Sequence, residues 1–520
     1  MATFSRPGVY VQEVPVPQSI ELADTGSALG AFVGPVAKGP TTLPVLVRSW
    51  RNFVDTFGDV NDAYPITWAV YNFFSNGGNQ AYIKRIVGSN SAQASVVLTD
   101  RSQSSLATLL VKANSAGAWG NNYSVQIIDS GASDRFAIYV YQAVSGSSVL
   151  VEQFSDLSMS KTDPRYAISY VNASSTLITL TDQNSASVAP DNRPTADGVQ
   201  HAFTGGLDGS APTRANYSAS YTLFDPIKNP LVFNVPNAAY VYNTAGNSSD
   251  RTLSLQLQAD MVDYCASRDN AFAICDVPAG LTVADAKQYA SDLKSTSPFS
   301  GQTKGEVAAI YYPWVNIPDT TKAARGATRL QAPGAIAAGQ FLATDVSRGV
   351  FKAPAGFGNR VALAVSTQTQ LSNAELDNLN TGSEPINAIR QVPGAGIVIM
   401  GARTLNNTSS NRYINVRRSV MFLKTELDNR SQFALFENND SVLWSRIRTG
   451  LSTFLRGYWQ QGGLRGTSPQ QAFYVICDST NNSEADIQNG IVNIEVGVAL
   501  EYPTEFVVIK LGQLTGNATA

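Results

Sequence analysis

The feature that most constrains the fold is a change of hydrophobic periodicity along this chain of 520 residues. Apolar residues at helical spacing alternate with short apolar strands before about residue 89 and again from about residue 213. Between these points the helical spacing disappears, and short alternating runs such as YSVQII and RFAIYVY are separated by clusters of Ser, Gly, Asn and Asp. The pattern predicts an α/β fold interrupted by an all-β insertion.

A chain of this length exceeds what one hydrophobic core supports, so we expect several domains. The predicted fold class is a multidomain α+β or α/β protein, with α/β central and C-terminal domains, an all-β insertion domain and extended strand arms at both termini. The predicted parts are an N-terminal arm and linker at 1–25, an α/β piece at 26–88, the insertion at 89–212, a central α/β domain at 213–402 and a C-terminal domain at 403–520. Within the central domain, the small-residue segment 331–356 is predicted to be rich in loops.

The stretch RPGVYVQEVPVP near the N-terminus contains one short strand bounded by prolines. Val9 and Val11 lie on one face of such a strand, and Tyr10 and Gln12 lie on the other. Proline donates no main-chain hydrogen bond, so the flanking prolines limit the strand to a short ladder. The polar residues that follow form no obvious hairpin turn. The strand therefore lacks a natural antiparallel partner nearby.

The C-terminal part contains the longest helical pattern of the chain, interrupted at FENNDS. After this break one apolar stripe consists of Leu443, Ile447, Leu451, Phe454 and Tyr458. Arg448, Ser452 and Arg456 form a polar stripe roughly 100° around the axis. This stripe has two interpretations, a solvated face beside the core stripe or a basic strip that docks on an acidic partner. The chain then ends in the predicted strands AFYVICD, the alternating run 492–500 and EFVVIKL.

Only 15% of the residues are charged, against roughly a quarter in a typical soluble protein. The low charge fits two interpretations, a surface hidden in contacts with copies of the same chain or a neutral, β-rich globular protein. The net charge of -3 gives no overall basic footprint for nucleic acid. No apolar run approaches the ~20 residues that span a bilayer, and the N-terminus lacks the regions of a signal peptide. We therefore expect no membrane insertion, and folding in a cytoplasm.

Residues that could carry catalysis are sparse. The single histidine, His201, has no partner motif nearby, so neither a Ser-His-Asp site nor a His-bearing zinc site is predicted. Cys265, Cys275 and Cys477 have apolar neighbours and no CxxC spacing, and we expect them to be reduced core residues. GPVAKGPT has a proline where a phosphate loop needs its lysine, and GAGIVIMG lacks the third glycine of a dinucleotide loop. The sequence predicts no catalytic residue, no cofactor and no metal site, and hence no enzyme.

A set of motifs stands in a fixed order along nearly the whole chain. The N-terminal members are RPGVYVQEV, GAFVGPVAKGP, WRNFVDTFG and FFSNGGNQAYIKRI. The middle members are GAWGNNYSVQI, FTGGLDG, AIYYPWV and SRGVFKAPAG. The C-terminal members are NVRRSVMFL, FENNDSVLWSRIRTGLSTFLRGYWQQGGLRG, AFYVICD and EYPTEFVVIKL. In this order the motifs resemble the tail sheath proteins of contractile bacteriophages and of related contractile injection systems.

The resemblance implies a structural subunit of a contractile tail sheath. Such a subunit polymerises helically around the tail tube in an extended, metastable state, and contraction drives the tube through the host envelope for genome delivery. The implied partners are other copies of the chain, the tail tube protein, and the baseplate and tail terminator proteins, without nucleic acid. The implied location is the virion tail, with assembly in the host cytoplasm and the β insertion on the outer surface. The family's central domain is subtilisin-like in shape, but His201 lies outside it, so protease activity is not implied.

The resemblance also implies which segments join the subunits, because in this family the terminal strands enter the C-terminal domains of neighbours. Mapped onto this chain, the inter-subunit arm residues are Val9, Tyr10, Val11, Gln12, Phe506, Val508 and Ile509, and the acceptor strands are expected between 472 and 511. The family's tube-facing helix maps onto the segment that carries Arg446, Arg448, Ser452 and Arg456. Only the helix is carried over from the family, and the choice of these contact residues is our own inference.

Three alternatives stand beside this interpretation. The first is the sheath of a bacterial contractile injection system or tailocin. The second is an α/β hydrolase, against which the missing histidine partner argues. The third is a self-assembling surface protein or adhesin, against which the absence of a secretion signal argues.

Overall fold

The computed structural model describes residues 28–242, 248–299 and 303–505. The predicted arm residues Val9, Tyr10, Val11, Gln12, Phe506, Val508 and Ile509 lie outside the described residues. The helices are α1 Trp50–Phe57, α2 Pro65–Ser75, α3 Ala167–Ser174, α4 Arg214–Tyr221, α5 Asn237–Val241, α6 Ser248–Arg268, α7 Val283–Ser295, α8 Gly334–Arg348, α9 Asn373–Asn380, α10 Ile414–Ser431, α11 Ser441–Gln460, α12 Pro469–Ala472 and α13 Glu484–Gln488. The strands are β1 Leu29–Gly34, β2 Val45–Val47, β3 Ala81–Arg85, β4 Ser95–Thr99, β5 Ala107–Ala113, β6 Tyr123–Asp129, β7 Phe136–Val144, β8 Ser147–Leu157, β9 Ile178–Asp182, β10 Gln200–Ala202, β11 Leu231–Asn234, β12 Ala271–Asp276, β13 Ala308–Tyr312, β14 Val315–Pro318, β15 Thr328–Gln331, β16 Ser366–Thr367, β17 Asn387–Val392, β18 Gly396–Ile399, β19 Phe473–Ile476 and β20 Glu495–Val498.

The core is an eight-stranded sheet in the order β18-β17-β13-β12-β11-β1-β3-β2. Its central pairs are parallel, with Ala31 of β1 opposite both Phe233 of β11 and Tyr82 of β3, and antiparallel pairs lie at the two ends. Strands from 26–88 and from 213–402 therefore belong to one sheet. Treating these segments as separate parts of the fold was wrong, because pairing between strands about 200 residues apart leaves no trace in local periodicity.

Both faces of this sheet are buried, as expected for parallel strands covered by helices. In β1, Ala31 and Val33 pack on the side that carries α4, α6 and α7, and Phe32 packs on the side that carries α1, α2 and α8. All three side chains are completely buried. β1 is thus buried along its whole length, on both of its faces.

Helix α8 occupies residues 334–348, within the segment that was predicted to be rich in loops, so that prediction was wrong. Its small residues permit a very close approach to α2. A Cβ atom on Gly339 would lie 2.5 Å from the main-chain oxygen of Phe73, and one on Gly77 would lie 2.7 Å from the Cβ of Ala343. The glycines and alanines are therefore a packing requirement of a buried helix.

The inserted region consists of two antiparallel sheets, β10-β6-β7-β8 and β4-β5-β9, around a shared core. Leu109 and Val111 from one sheet pack with Ile138 from the other, and all three are buried. One helix, α3, contributes the buried Val171, so the prediction of an all-β region misses that element. α3 is eight residues long and buries Ala167 and Val171.

The C-terminal region contains α10 and α11 followed by the short antiparallel pair β19 and β20. The predicted strand 492–500 is confirmed only at Glu495–Val498. Its predicted apolar face is nevertheless present, because Val492, Ile494 and Val496 all pack in one cluster against α11. Within the described residues, no helix is long and apolar enough to cross a membrane.

Candidate assembly surface

The sheet formed by β19 and β20 consists of two strands, and no other strand of the described residues pairs with its edges. Val475 lies opposite Val496 in this antiparallel pair. Among the residues that the structure describes, no third strand joins the sheet on either side. A strand with a free edge presents a row of main-chain donors and acceptors that another strand can pair with.

The hydrogen bonding identifies the main-chain groups at these edges. The amide of Ala499 donates to the carbonyl of Ala472 at 2.8 Å. In an antiparallel ladder such bonded pairs alternate with pairs that do not bond each other. Val475 and Val496 lie three positions from the bonded pair Ala472 and Ala499, so they do not bond each other. The N–H and C=O of Val475 therefore point outward at the β19 edge, and those of Val496 point outward at the β20 edge.

Helix α11 supports this sheet through its apolar stripe. Leu443, Ile447 and Leu451 are buried and pack with Val475 and Val496. The helix is capped at its N-terminus, since the carboxylate of the preceding aspartate accepts two main-chain N–H groups at 2.9 Å each. Such a cap stabilises a helix by about 1 kcal/mol. The predicted stripe is confirmed, and it packs on one face of the β19–β20 sheet.

The four predicted tube-facing residues do not form a single stripe. Arg446 and Arg448 are two positions apart, which is roughly 200° around the axis, so they lie on opposite flanks of the exposed face. The guanidinium of Arg446 lies over the ring of Phe433 at 5.2 Å. Ser452 is half-buried, and Arg456 is exposed near the middle of the face.

Arg448 is already engaged within the chain. Its Nη1 lies 3.4 Å from Oδ2 of Asp478, just after β19. Hydrogen bonds from Thr480 and the charge of Arg448 both hold the pKa of Asp478 below its usual range. Because both side chains are about 40% exposed, we expect this ion pair to contribute little to stability. It does reduce the availability of Arg448 for a partner.

An apolar tip between α10 and α11 was missed in the sequence, where FENNDS was treated only as a break. Phe433, Leu435 and Phe436 are 42%, 64% and 108% exposed, and Val442 at the start of α11 is 66% exposed. The run FALF, which continues no helical stripe, was the signal that could have revealed it. The exposed face of α11 is therefore apolar at one end and basic towards the other.

A second missed feature fixes the chain where it approaches its C-terminal segment. Nε of Arg403 donates to Glu505 at 3.0 Å, and its Nη1 donates to the carbonyl of Asn380 at 3.1 Å. The ion pair with Glu505 raises the pKa of Arg403. The main-chain N–H and C=O of Arg403 bond the buried side chain of Asn387 in β17, each at 2.8 Å. The end of the described chain is thus tied to the core sheet.

The groups considered for catalysis have structural partners. His201 Nε2 lies 3.2 Å from Oδ1 of Asp197, a pairing that the sequence did not indicate. Cys265, Cys275 and Cys477 are buried free thiols, as predicted. No cluster of three or more His, Cys, Asp or Glu residues that could hold a metal occurs in the described part of the chain.

The main-chain carbonyls of the segment GPVAKGPT accept hydrogen bonds from an arginine of the same chain. The buried guanidinium of Arg85 donates to the carbonyls of Val36, Ala37 and Gly39 at 2.9, 3.0 and 2.7 Å. A fourth bond at 2.7 Å reaches the carbonyl of Ala116 in the insertion. The loop thus turns carbonyl oxygens towards its charged partner, whereas a phosphate loop turns main-chain N–H groups towards its ligand.

Comparison with solved structures identifies the fold. The chain resembles the helical sheath of the anti-feeding prophage in its contracted state, with a TM-score of 0.56 at 20% identity over 98% of this chain and 100% of that one. It also resembles the sheath tail protein of Listeria innocua, with a TM-score of 0.60 at 12% identity over 92% of this chain and 96% of that one. The fold is that of sheath proteins from contractile machines.

The sequence comparisons point to one family among proteins with this fold. Residues 406–511 match the family model described as the phage tail sheath C-terminal domain. A further match is the tail sheath protein of Enterobacteria phage T4, 32% identical over 156 residues. That alignment covers 29% of this chain and 22% of the phage protein's length. The resemblance to the tail sheath family noted from the sequence is thereby confirmed, and the open sheet and α11 lie within the matched domain.

Proposed function

We propose that this chain is the structural subunit of a contractile tail sheath, which polymerises helically around a tail tube and contracts to drive the tube through a host envelope. The observation that carries the proposal is the C-terminal sheet with two unpaired edges. Two edges without a partner among the described strands match in number the two strand arms that the sequence predicts, one near each end of the chain. The chain acts as a building block and a motor rather than as an enzyme.

In this mechanism each edge receives one strand from a neighbouring subunit. The N–H and C=O groups of Val475 and Val496 are the expected acceptors, and residues 9–12 and 506–509 are the expected arms. The prolines around the N-terminal arm limit its ladder to a few residues, which suits strands β19 and β20 of four residues each. The ion pair of Arg403 with Glu505 supports the C-terminal arm at its base.

The polar face of α11 is proposed to rest on the tube in the extended state, with Arg456 as the central contact. Arg446 and Ser452 flank it, and Arg448 takes part only if it leaves Asp478. A basic strip of this kind fits an acidic tube surface and is released at low cost, because exposed ion pairs are weak. Contacts between subunit bodies gained on contraction then supply the work, while the arms keep neighbours joined. The baseplate and tail terminator are the proposed contacts at the two ends of the polymer.

The proposed location is the virion tail, with assembly in the host cytoplasm and the insertion on the outside. The sheath of a bacterial contractile injection system or tailocin is a second candidate, because the fold also resembles sheaths of such machines. Purified particles discriminate the two, since the chain is expected on particles with a DNA-filled head in one case and on headless particles in the other.

Electron microscopy of the purified protein tests polymerisation directly. We expect striated hollow tubes, and only monomers under every condition tried would contradict the proposal. Deletion of residues 2–14 is expected to leave a folded subunit that does not assemble, and normal tubes from this truncation would rule out the arm.

The acceptor edge has its own test. Val496→Pro removes an outward N–H without removing a hydrogen bond to β19, so the subunit is expected to fold but not to assemble. Val496→Ala is the control, because it removes the branched side chain and keeps the N–H. Equal assembly of both variants would exclude this edge as the acceptor.

A further inference from the structure

A cavity of about 220 Å³ lies between the core sheet and the C-terminal helices. It is lined mainly by apolar side chains from the amino ends of core strands, from α8, and from α10 and α11, among them Leu231, Leu342, Val346, Met421 and Tyr458. An apolar cavity of ~150 Å³ is already large enough to bind benzene. This cavity therefore has room for one or two aliphatic side chains. It opens to the surface beside Val346, which is 74% exposed.

The chain that precedes the described residues joins the lining of this cavity. Ala28, the first described residue, is itself part of the lining. The preceding residues 18–27 read QSIELADTGS, in which Ile20 and Leu22 are the large apolar members. Their spacing of two puts both side chains on one face of an extended segment and Glu21 on the other. Leu22 is six residues from Ala28, which gives a reach of up to about 20 Å.

The charges at the rim complement this segment. Arg348 ends α8 and Lys352 follows the lining residue Phe351, and both basic side chains are exposed. Neither has an ion-pair partner among the described residues. Residues 18–27 carry Glu21 and Asp24 and no basic residue. An apolar pair flanked by acidic residues therefore matches an apolar cavity with a basic rim.

We propose that residues 20–27 of the same chain dock in this cavity, with Ile20 and Leu22 filling it and the acidic residues facing Arg348 and Lys352. The N-terminal arm then leaves the subunit body from a fixed point next to Ile20. The proposal deepens the proposed function, because it assigns a base to the inter-subunit arm. Docking itself takes place within one subunit and does not depend on assembly.

Disulfide trapping in the dilute full-length protein tests the contact. The pair Leu22→Cys and Val346→Cys is expected to oxidise to an intramolecular disulfide, detected by peptide mapping without reductant. The pair Glu21→Cys and Val346→Cys is the matched control, and it is expected to form at least several-fold less. Equal yields from the two pairs, no disulfide at Leu22, or bridges found only between two copies would each overturn docking by the same chain.

Hydrogen exchange gives a second measurement that needs no cysteine. Removal of residues 2–26 is expected to raise the exchange rates of amides at 345–351 and 418–422 several-fold, because the cavity loses its filling. Removal of residues 2–14 is the control, and it is expected to leave these rates unchanged while abolishing tubes. Unchanged rates in the longer truncation would overturn the docking, whereas tubes formed by the shorter truncation would count against the arm alone.

Discussion

Arg418→Met is predicted to loosen the junction between the core sheet and the C-terminal helices. Arg418 of α10 and Asp345 of α8 form a bidentate ion pair, with Nη1 to Oδ1 at 2.9 Å. Their side chains are only 4% and 15% exposed. The guanidinium also lies 4.9 Å from the ring of Phe341. The pair is thus one of the charged contacts that join the two regions.

The expected loss of stability follows from the burial of the two charged side chains. Removal of one partner leaves the carboxylate of Asp345 without compensation, which costs ~3–5 kcal/mol. That corresponds to a shift of roughly 10²–10⁴ in the unfolding equilibrium. The double variant Asp345→Leu with Arg418→Met removes both charges and is predicted to recover most of this loss, because buried ion pairs are worth little more than well-packed apolar residues.

The assay is urea unfolding of the four proteins of this double-mutant cycle, followed by circular dichroism and by limited proteolysis. Burial raises the pKa of Asp345 even with Arg418 present. In the Arg418→Met protein that pKa rises further, so the destabilisation is expected to shrink as the pH falls and the carboxyl becomes neutral. A double variant as unstable as Arg418→Met, or a loss that does not change with pH, would refute the reasoning.

The other predictions concern a buried acid and the helix face. Burial raises the pKa of Asp276 to about 7, although hydrogen bonds from the N–H groups of Asn234 and Gly334 lower it in part. The carboxyl group therefore stays protonated in the folded state at pH values above its ordinary pKa of 3.8. Stability is therefore expected to fall by about 3 kcal/mol between pH 4 and pH 7, and Asp276→Asn is expected to remove most of that slope in urea midpoints, with an unchanged slope contradicting it. Arg456→Glu is expected to weaken co-sedimentation with tube at least tenfold without lowering the melting temperature, whereas Arg448→Glu is expected to lower the melting temperature only slightly, by about a degree, because its repulsion of Asp478 is screened by solvent. Retained tube binding by Arg456→Glu would remove the helix from the proposed contact.

Local patterns in the sequence were enough to predict the elements whose side chains carry a strong period. The stripe from Leu443 to Tyr458 specified both the helix α11 and its buried face, and the alternation at 492–500 specified the inner face of β20. Helix α8 was missed because its contact with α2 requires glycine and alanine, and such residues produce no contrast between an apolar and a polar face.

The parts that could not be predicted depend on contacts between residues far apart in the chain. Arg85 bonds carbonyl groups up to 49 residues away, and Arg403 bonds a carboxylate 102 residues away. Main-chain carbonyls leave no mark in a sequence, so nothing in the local spacing separates these buried arginines from exposed ones. The arms and the register of their exchange depend on a second chain, and they remain predictions.

The anchoring of Arg403 has a mechanical consequence. A pull on the C-terminal segment reaches Glu505 first and passes through the guanidinium of Arg403 to its main chain. From there two hydrogen bonds carry the load to Asn387, whose amide also donates to the carbonyl of Ile310 in the neighbouring strand β13 at 3.2 Å. A load on the C-terminal segment would thus be shared with the core sheet by short contacts loaded together, rather than falling on the small β19–β20 sheet alone.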